Sequence, residues 1–540
     1  MTRKYLGRAA VALGAALVVG FPARADDLAD RIDRMERELQ EMRRELQRRN
    51  AGTTAPAAPA PAEVPPAPPV AVTPPAVEPP TTVGAAPAGG AKQDATRVIE
   101  AITDRVKLGA YGSIRYEASN IDEAHSTFTY RRFVLTTDAN IAPRLHGYME
   151  LELERFRKLE LEKGNARADG GLTVNQSVEG TDDSEISLEQ AWLQFDLAKW
   201  LAFRGGAVLV PVGRFNLRHD DNLWDLPRRS LVDRGTPVLP VPAAWDELGA
   251  GFVGNVAVGR TSNLDYQLYV VQGAALDFNF EQVAMTRSPE AAKQVIEVEL
   301  EPTTGTFNTD SKEGKAVTGR LAYSPALGHE IASSFYWGQY TPDFLGNEDL
   351  YSFSVAGRTG IGPFELEGEW MYTHFDGIRG VARQLAHVAR DSESEFENPD
   401  LETEVEFELA GLATNKHGYW IDLRYRFWPE FLTNSVLGHR FENPQLIAVL
   451  RGEQVWLDDL IEEAVFGGGT LTDFETEDRR VDRITVGLAY RPVPLVVFQL
   501  AYELTETDTG KSLAGVTNFI PAGPNEDTSH AILVGAAFGF

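Results

Sequence analysis

Five arginines stand between positions 212 and 244, namely Arg214, Arg218, Arg228, Arg229 and Arg234, against four aspartates, Asp220, Asp221, Asp225 and Asp233. A guanidinium is a permanently charged planar fork that matches carboxylate and phosphate oxygens, so such a cluster can guide anions or pair with acids. A second set of charges lies on runs that alternate with apolar residues. It comprises Arg204, Arg320, Arg358, Arg424, Arg426, Glu150, Glu152, Glu154, Glu365, Glu367 and Glu369. Both signs on one face of such runs would line a water-filled space and set a field across it. Neither set is the apparatus of a covalent reaction. The chain has no cysteine, which removes thiolate zinc sites, iron–sulfur clusters, covalent haem attachment and cysteine nucleophiles together. It carries no Walker loop, no Rossmann glycine pattern after a strand, no His-Glu-x-x-His and no Gly-x-Ser-x-Gly. His219-Asp220-Asp221 offers metal-ligand types in a row, but the nine histidines include no i, i+4 pair, which favours hydrogen bonding inside the loop. The expectation is therefore no enzyme, no metal and no cofactor.

The elements that must position these charges follow from a period of two. Phe364, Leu366, Trp370 and Tyr372 interleave with the glutamates at 365, 367 and 369, and Ile421, Leu423 and Tyr425 interleave with Asp422, Arg424 and Arg426. About 16 such segments of some ten residues run from 108 to 540, a length that suits a tilted crossing of a bilayer. They are joined alternately by short turns, such as Gly362-Pro363, and by long polar loops near 156–184, 211–244, 274–314, 376–416, 455–478 and 505–528. Short turns at one end and long loops at the other mark an all-β, transmembrane antiparallel barrel whose polar face lines the lumen. The loop at 376–416, with ten acids against four bases, reads as a solvated outer face. The loop at 211–244, third on its side once the connection near 119–128 is counted, is the candidate constriction. The last strand carries Phe538 and Phe540, which resemble the terminal signal read by the barrel-assembly machinery.

Ahead of the barrel the chain changes character three times. Residues 1–25 read as a signal peptide, with a basic start and a short apolar run, so the protein leaves the cytoplasm. Residues 26–50 form a coiled coil on a heptad seam of Leu28, Ile32, Met35, Leu39, Met42 and Leu46, which suits self-association. Residues 51–94 are an Ala/Pro-rich linker that favours an extended chain, and 95–107 is a short connecting segment. The formal charge of −28 argues against nucleic acid as a partner.

The stretch Leu209-Val210-Pro211-Val212-Gly213-Arg214-Phe215-Asn216, with Arg229-Ser230-Leu231-Val232-Asp233-Arg234 and Trp245-Asp246-Glu247-Leu248-Gly249, resembles the third-loop region of the phosphate-selective porin O and P family. The N-terminal coiled coil is similar to that of several members. The resemblance implies a homotrimer of 16-stranded channels in the bacterial outer membrane, with arginines guiding anions such as phosphate.

These readings converge on an outer-membrane porin passing small hydrophilic solutes by diffusion, with membrane lipid around the barrel and the N-terminal segment in the periplasm. The alternative is an envelope-tethering protein, in which the barrel is an anchor and the periplasmic segment contacts peptidoglycan. A sheath for an electron-transfer conduit ranks third, because without cysteine the chain cannot attach c-type haem itself.

Overall fold

Alternation of apolar and polar side chains closes this chain on itself. The structure, a computed structural model, describes residues 105–121, 125–155, 160–163, 176–179, 185–233, 238–241, 244–287, 292–305, 312–393, 402–407, 413–467, 470–508 and 527–540. The signal, coiled-coil and linker segments, with the seam from Leu28 to Leu46, lie outside the described residues, as does Arg234. In chain order the strands begin with β1 (Val106–Ser119), β2 (Thr127–Ala142), β3 (Leu145–Glu154), β4 (Glu160–Lys163), β5 (Gln176–Glu179), β6 (Glu185–Ala198) and β7 (Leu201–Leu209). They continue with β8 (Asp246–Ala257), β9 (Asn263–Val271), β10 (Ala275–Arg287), β11 (Ala292–Thr303), β12 (Ala316–Ala326), β13 (His329–Gln339) and β14 (Asp349–Ile361). The last are β15 (Phe364–Phe375), β16 (Glu402–Phe407), β17 (Ala413–Phe427), β18 (Gln445–Gly467), β19 (Thr470–Val493), β20 (Val496–Thr507) and β21 (Thr528–Gly539).

Sixteen of these form a closed antiparallel barrel. Neighbours pair in the order β1, β2, β3, β6, β7, β8, β9, β12, β13, β14, β15, β17, β18, β19, β20 and β21, and β21 pairs back onto β1 with Gly539 opposite Tyr111. Strands β4 and β5 form a separate two-stranded ladder. Side-chain placement is inverted relative to a water-soluble sandwich. Leu321, Ile331, Val355, Ile421, Leu450, Val486, Leu500 and Val534 are exposed on the outside, while Arg132, Arg451, Arg483, Asp422 and Glu367 are buried inside. Exposed aromatics flank the aliphatic band at both rims. Trp200, Tyr323, Phe364, Tyr425 and Phe498 lie near the short turns, and Phe128, Trp337, Tyr351 and Tyr502 lie toward the long loops. A belt of this kind suits hydrocarbon bounded by two interfaces. Replacing Val486, in mid-band on β19, by arginine is expected to cost the barrel about 2–4 kcal/mol in lipid vesicles, read as a lower urea midpoint for unfolding.

The short turns are tight because their backbones allow it. Gly362 (φ 59°) sits between β14 and β15 and Gly328 (φ 83°) between β12 and β13, both in the left-handed region that suits glycine. At the β2–β3 turn Arg144 takes φ 70°, and its guanidinium donates to the carbonyls of Asp196 and Leu197.

Two long loops depart from the sequence expectation. The segment 274–314 holds the β10–β11 hairpin, and 455–478 is the upper part of one long β18–β19 hairpin. Strand β16 joins these two regions, running parallel to β11 and antiparallel to β18. Alternation such as Leu276-Phe278-Phe280 and Ile296-Val298-Leu300 carried that information inside segments whose composition reads as polar loop. The segment 376–416 is not a wholly solvated outer face. It contains the helix Ile378–Glu393, in which Ile378, Val381, Ala382, Leu385, Ala386 and Ala389 form a buried stripe at helical spacing. That stripe packs among β10, β11, β16, β17 and β18.

Candidate functional site

The third long loop, between β7 and β8, folds into the barrel instead of standing above it. Val210, Val212, Phe215, Trp224, Leu231, Val232 and Trp245 are buried in one apolar core with Leu350, Met371, Phe375 and Trp420 of the barrel wall and with the helix 378–393. Asn216 fastens the two ends of the loop together. Its Nδ2 donates to the carbonyls of Val210 (2.8 Å) and Trp245 (3.2 Å), and its Oδ1 accepts from the Trp245 amide at 2.6 Å. Gly213, at φ 84°, turns the chain into a short helical turn, Arg214–Leu217. Phe215 stacks on Trp224 with centroids 3.9 Å apart and tilts against Trp420 at 4.8 Å. Trp224, Leu226 and Pro227 reach the opposite wall, where Gln499 donates to the carbonyls of Trp224 and Leu226 at 2.8 and 3.1 Å. The loop therefore spans the lumen.

Its charges pair mainly with the wall. Arg214 contacts Glu367 and, at 2.7 Å, Glu330, and its amide donates to Glu369. Arg218 lies 3.3 Å from Glu367 and over the Trp224 ring. Asp225 takes Arg424 at 3.4 Å and Arg491 at 2.7 Å. Arg228 binds Glu117 at 3.0 Å and Glu503 at 2.7 Å, whereas Arg229 pairs within the loop with Asp233 at 3.6 Å and Asp221 at 3.9 Å. Wall arginines cap loop carbonyls, Arg451 that of Arg228 at 3.1 Å and Arg483 that of Arg229 at 2.7 Å.

Beside the smaller set of Arg115 and Arg228 with Glu117 and Glu503, the ion pairs of the loop and wall form two larger, unlike networks. One joins eight arginines, Arg214, Arg218, Arg320, Arg358, Arg424, Arg426, Arg451 and Arg491, to five carboxylates, Glu330, Glu365, Glu367, Asp422 and Asp225. The other, against β2, β3 and β6, joins three arginines, Arg131, Arg132 and Arg229, and His219 to six carboxylates, Glu150, Glu152, Glu189, Asp220, Asp221 and Asp233. One side of the lumen is thus rich in cations and the other in anions. Asp221 is held well below the ordinary carboxylate range: burial opposes ionisation, but Arg131, Arg132 and Arg229 outweigh it. His219 shows the converse field. Burial disfavours the imidazolium, yet the carboxylates of Glu189 and Glu150 raise its pKa well above the ordinary value.

Exposure separates the charges further. The side chains of Arg218, Arg358 and Arg426 are 33, 32 and 36% exposed, while their partners Glu367 and Glu365 are 2 and 11% exposed. Cations face the water on that wall, with their carboxylates behind them. Arg320 is paired with Glu330 at 3.0 Å, and Arg424 is buried against Glu365, Glu367 and Asp422. Arg204 has a different setting: it donates to Gln194 at 2.7 Å and lies 4.0 Å from the Trp192 ring centroid. Glu150 accepts from Tyr111 and Gln190, Glu152 faces Arg132 at 3.0 Å, and Glu154 lies beside Arg155 at 3.6 Å. Glu369 accepts from the Trp420 indole as well as from the loop. Phe538 is on the outer face, and the Phe540 backbone exchanges hydrogen bonds with Ala110. His219 makes the expected loop-internal hydrogen bond with one ring nitrogen only. Nδ1 of His219 donates to the Asn216 carbonyl at 2.9 Å, but Nε2 points at Glu150 and Glu189, and Asp221 turns to Ser113 and the arginines.

The candidate set drawn from the sequence lacks Glu189, Glu330, Arg451 and Glu453, and it leaves Asp422 and Arg483 among the polar residues of their alternating runs. All sit at inward positions of strands, so alternation could have found them; which loop charge each one meets is set by strand register and by the path of the loop.

No family model matches the chain. It is 22% identical over 276 residues to a protein of Aquifex aeolicus (strain VF5) described as an uncharacterized protein, a match over 50% of this chain and 52% of that one. The chain thus spans about half the length of the curated relative it matches. Solved structures similar in fold include the anion-selective porin from Comamonas acidovorans (10% identity, 81% of this chain and 99% of that chain, TM-score 0.43). A Salmonella typhi OmpF complex with daunomycin is similar at 10% identity, 81% and 97% coverage and TM-score 0.43. The outer membrane channel DcaP of Acinetobacter baumannii is similar at 11% identity, 81% and 98% coverage and TM-score 0.36.

Proposed function

We propose that this protein is a bacterial outer-membrane channel through which small hydrophilic solutes diffuse, favouring anions. The observation that carries this reading is the inside-out placement of side chains on a closed 16-stranded barrel, apolar outside and charged within. A barrel of this strand number has room for an aqueous lumen. The preference for anions rests on the side of the lumen where Arg218 of the loop and Arg358 and Arg426 of the wall reach water while their carboxylates are largely covered. Cations at a narrow point set selectivity through their field, and opposite networks across the lumen make that field transverse. Because the arginines are paired and not arranged as a free ladder, the preference is for small anions as a class, phosphate among them, with weak discrimination between them. A homotrimer, assembled by the barrel-assembly machinery and aided by the N-terminal coiled coil, completes the proposal.

Purified folded protein in planar bilayers is expected to give ohmic current steps, grouped in threes, with a reversal potential in a salt gradient that lies on the anion side. Folded protein without conductance rejects the channel.

One observation favours a second reading. The apolar core formed by the loop and the helix 378–393 occupies part of the barrel interior, which suits a barrel serving as an anchor. In that case the segment 26–94 would be the working part, tethering the membrane to peptidoglycan. Deleting 26–94 separates the two: a channel keeps its conductance, whereas a tether loses its envelope phenotype.

A further inference from the structure

Where the loop meets β3 and β6, three ligand-type side chains converge in the interior. Nε2 of His219 lies 3.3 Å from a Glu189 carboxylate oxygen and 3.6 Å from one of Glu150, and the three donor atoms are all within 4.8 Å of one another. His219, Glu150 and Glu189 are 2, 1 and 3% exposed. Nε2 of His219 and Oε2 of Glu189 face each other without a hydrogen bond, while the other Glu189 oxygen lies 3.7 Å from Arg132. Buried polar atoms normally find a partner, so this facing pair, with a Glu150 oxygen beside it, calls for an occupant. We propose that this space is a binding site for one divalent transition-metal ion of the zinc type, held by His219, Glu150 and Glu189.

Four features fit. The donor set is one imidazole and two carboxylates, the mixed nitrogen–oxygen set that suits zinc better than calcium or magnesium. Bonds of about 2.1 Å in a tetrahedron place ligand atoms about 3.4 Å apart, the spacing seen between His219 and its two carboxylates. The Nδ1 hydrogen bond to the Asn216 carbonyl fixes the ring and leaves Nε2 with its lone pair toward the carboxylates, the arrangement that orients a metal-bound histidine. Gln190 and Tyr111 hold Glu150 in the same way. Charge agrees too: Arg132 is shared among Glu152, Glu189 and Asp221, so the carboxylates here outnumber the cations that serve them. Half-buried Asp220, with Oδ1 3.8 Å from Nε2, or a water, stands ready for the fourth position. An ion here would clamp the lumen-crossing loop to the wall at His219, whatever the barrel conducts.

The test uses the full chain, folded in detergent, stripped with a chelator and titrated with Zn2+ and Co2+. Close to one equivalent of metal per chain is expected by mass spectrometric metal analysis, and Co2+ should give the visible bands of a tetrahedral nitrogen–oxygen site. His219→Ala should weaken binding at least tenfold and abolish those bands, while His329→Ala, whose ring bonds Thr359 near a short turn, should leave both unchanged. Folded wild-type protein that takes up no zinc and shows no cobalt bands overturns the site, as does His219→Ala that binds like wild type. Should His219→Ala fail to fold, the wild-type titration and cobalt spectrum still decide. None of these readouts involves conductance, so they stand apart from the channel assignment.

Discussion

Replacing Arg218, Arg358 and Arg426 together by glutamine should remove the anion preference of the barrel and move its reversal potential to the cation side. These are water-facing cations of the basic side of the lumen, and their neutralisation leaves Glu365 and Glu367 with Arg214 and Arg424 as partners. A unit charge about 4 Å from a passing ion is worth about 1 kcal/mol even in bulk water, so losing three should change the anion-to-cation permeability ratio by at least about tenfold. Single replacements should each give part of that shift, and high salt should shrink it by screening. An unchanged reversal potential in the folded triple variant would show that ions pass elsewhere. Arg214 belongs in a different experiment. It is 7% exposed and bound to Glu367 and Glu330, so Arg214→Glu would test how the loop is seated and only indirectly which ions pass.

The second large effect concerns that seating. Glu367 is the shared partner of Arg214, Arg218 and Arg424, so Glu367→Leu takes one ion pair from each of the three, and from Arg218 the carboxylate it pairs with. Breaking a buried ion pair from one side costs about 3–5 kcal/mol. Against this stands the apolar hold on the loop: each buried Val, Leu, Phe or Trp contributes about 1.5–3 kcal/mol, and at least six such side chains take part. The apolar hold is the larger. The expected result is therefore local, with the Arg214–Arg218 turn loosening while the rest of the loop stays in place. Single-channel records should show higher conductance and more open-channel noise, and the loop should remain resistant to protease. Cleavage of the loop in folded Glu367→Leu would reverse the ranking and make the ion pairs the main anchor.

Much of the barrel could be read directly from residues because its rule is local. A side chain on Leu366 faces out and one on Glu367 faces in for the same reason at every strand, and all 16 crossings coincide with alternating segments found by inspection. The helix 378–393 was hidden by its acidic neighbours from 391 onward, although its apolar stripe repeats at three and four residues. The β10–β11 hairpin was hidden in the same way, by composition. The site was legible only in half. The arginines of the third loop stood out, but their neutralisation by the wall did not, because Glu367 lies 153 positions from Arg214 and Glu503 lies 275 from Arg228. Sequence places His219 beside Asp220 and Asp221, whereas the carboxylates it faces, Glu150 and Glu189, come from β3 and β6.

The pairing of β21 with β1 closes the barrel at a seam between the two ends of its chain. Tyr111 meets Gly539 across nearly the whole length of the barrel, and such distant partners are brought together late and slowly. The inward loop touches wall strands on both sides of this seam, Ser113 of β1 through Asp221 and Gln499 of β20 through the Trp224 and Leu226 carbonyls. The contacts of the loop thus straddle the seam, a basting stitch that holds the first and last strands in register.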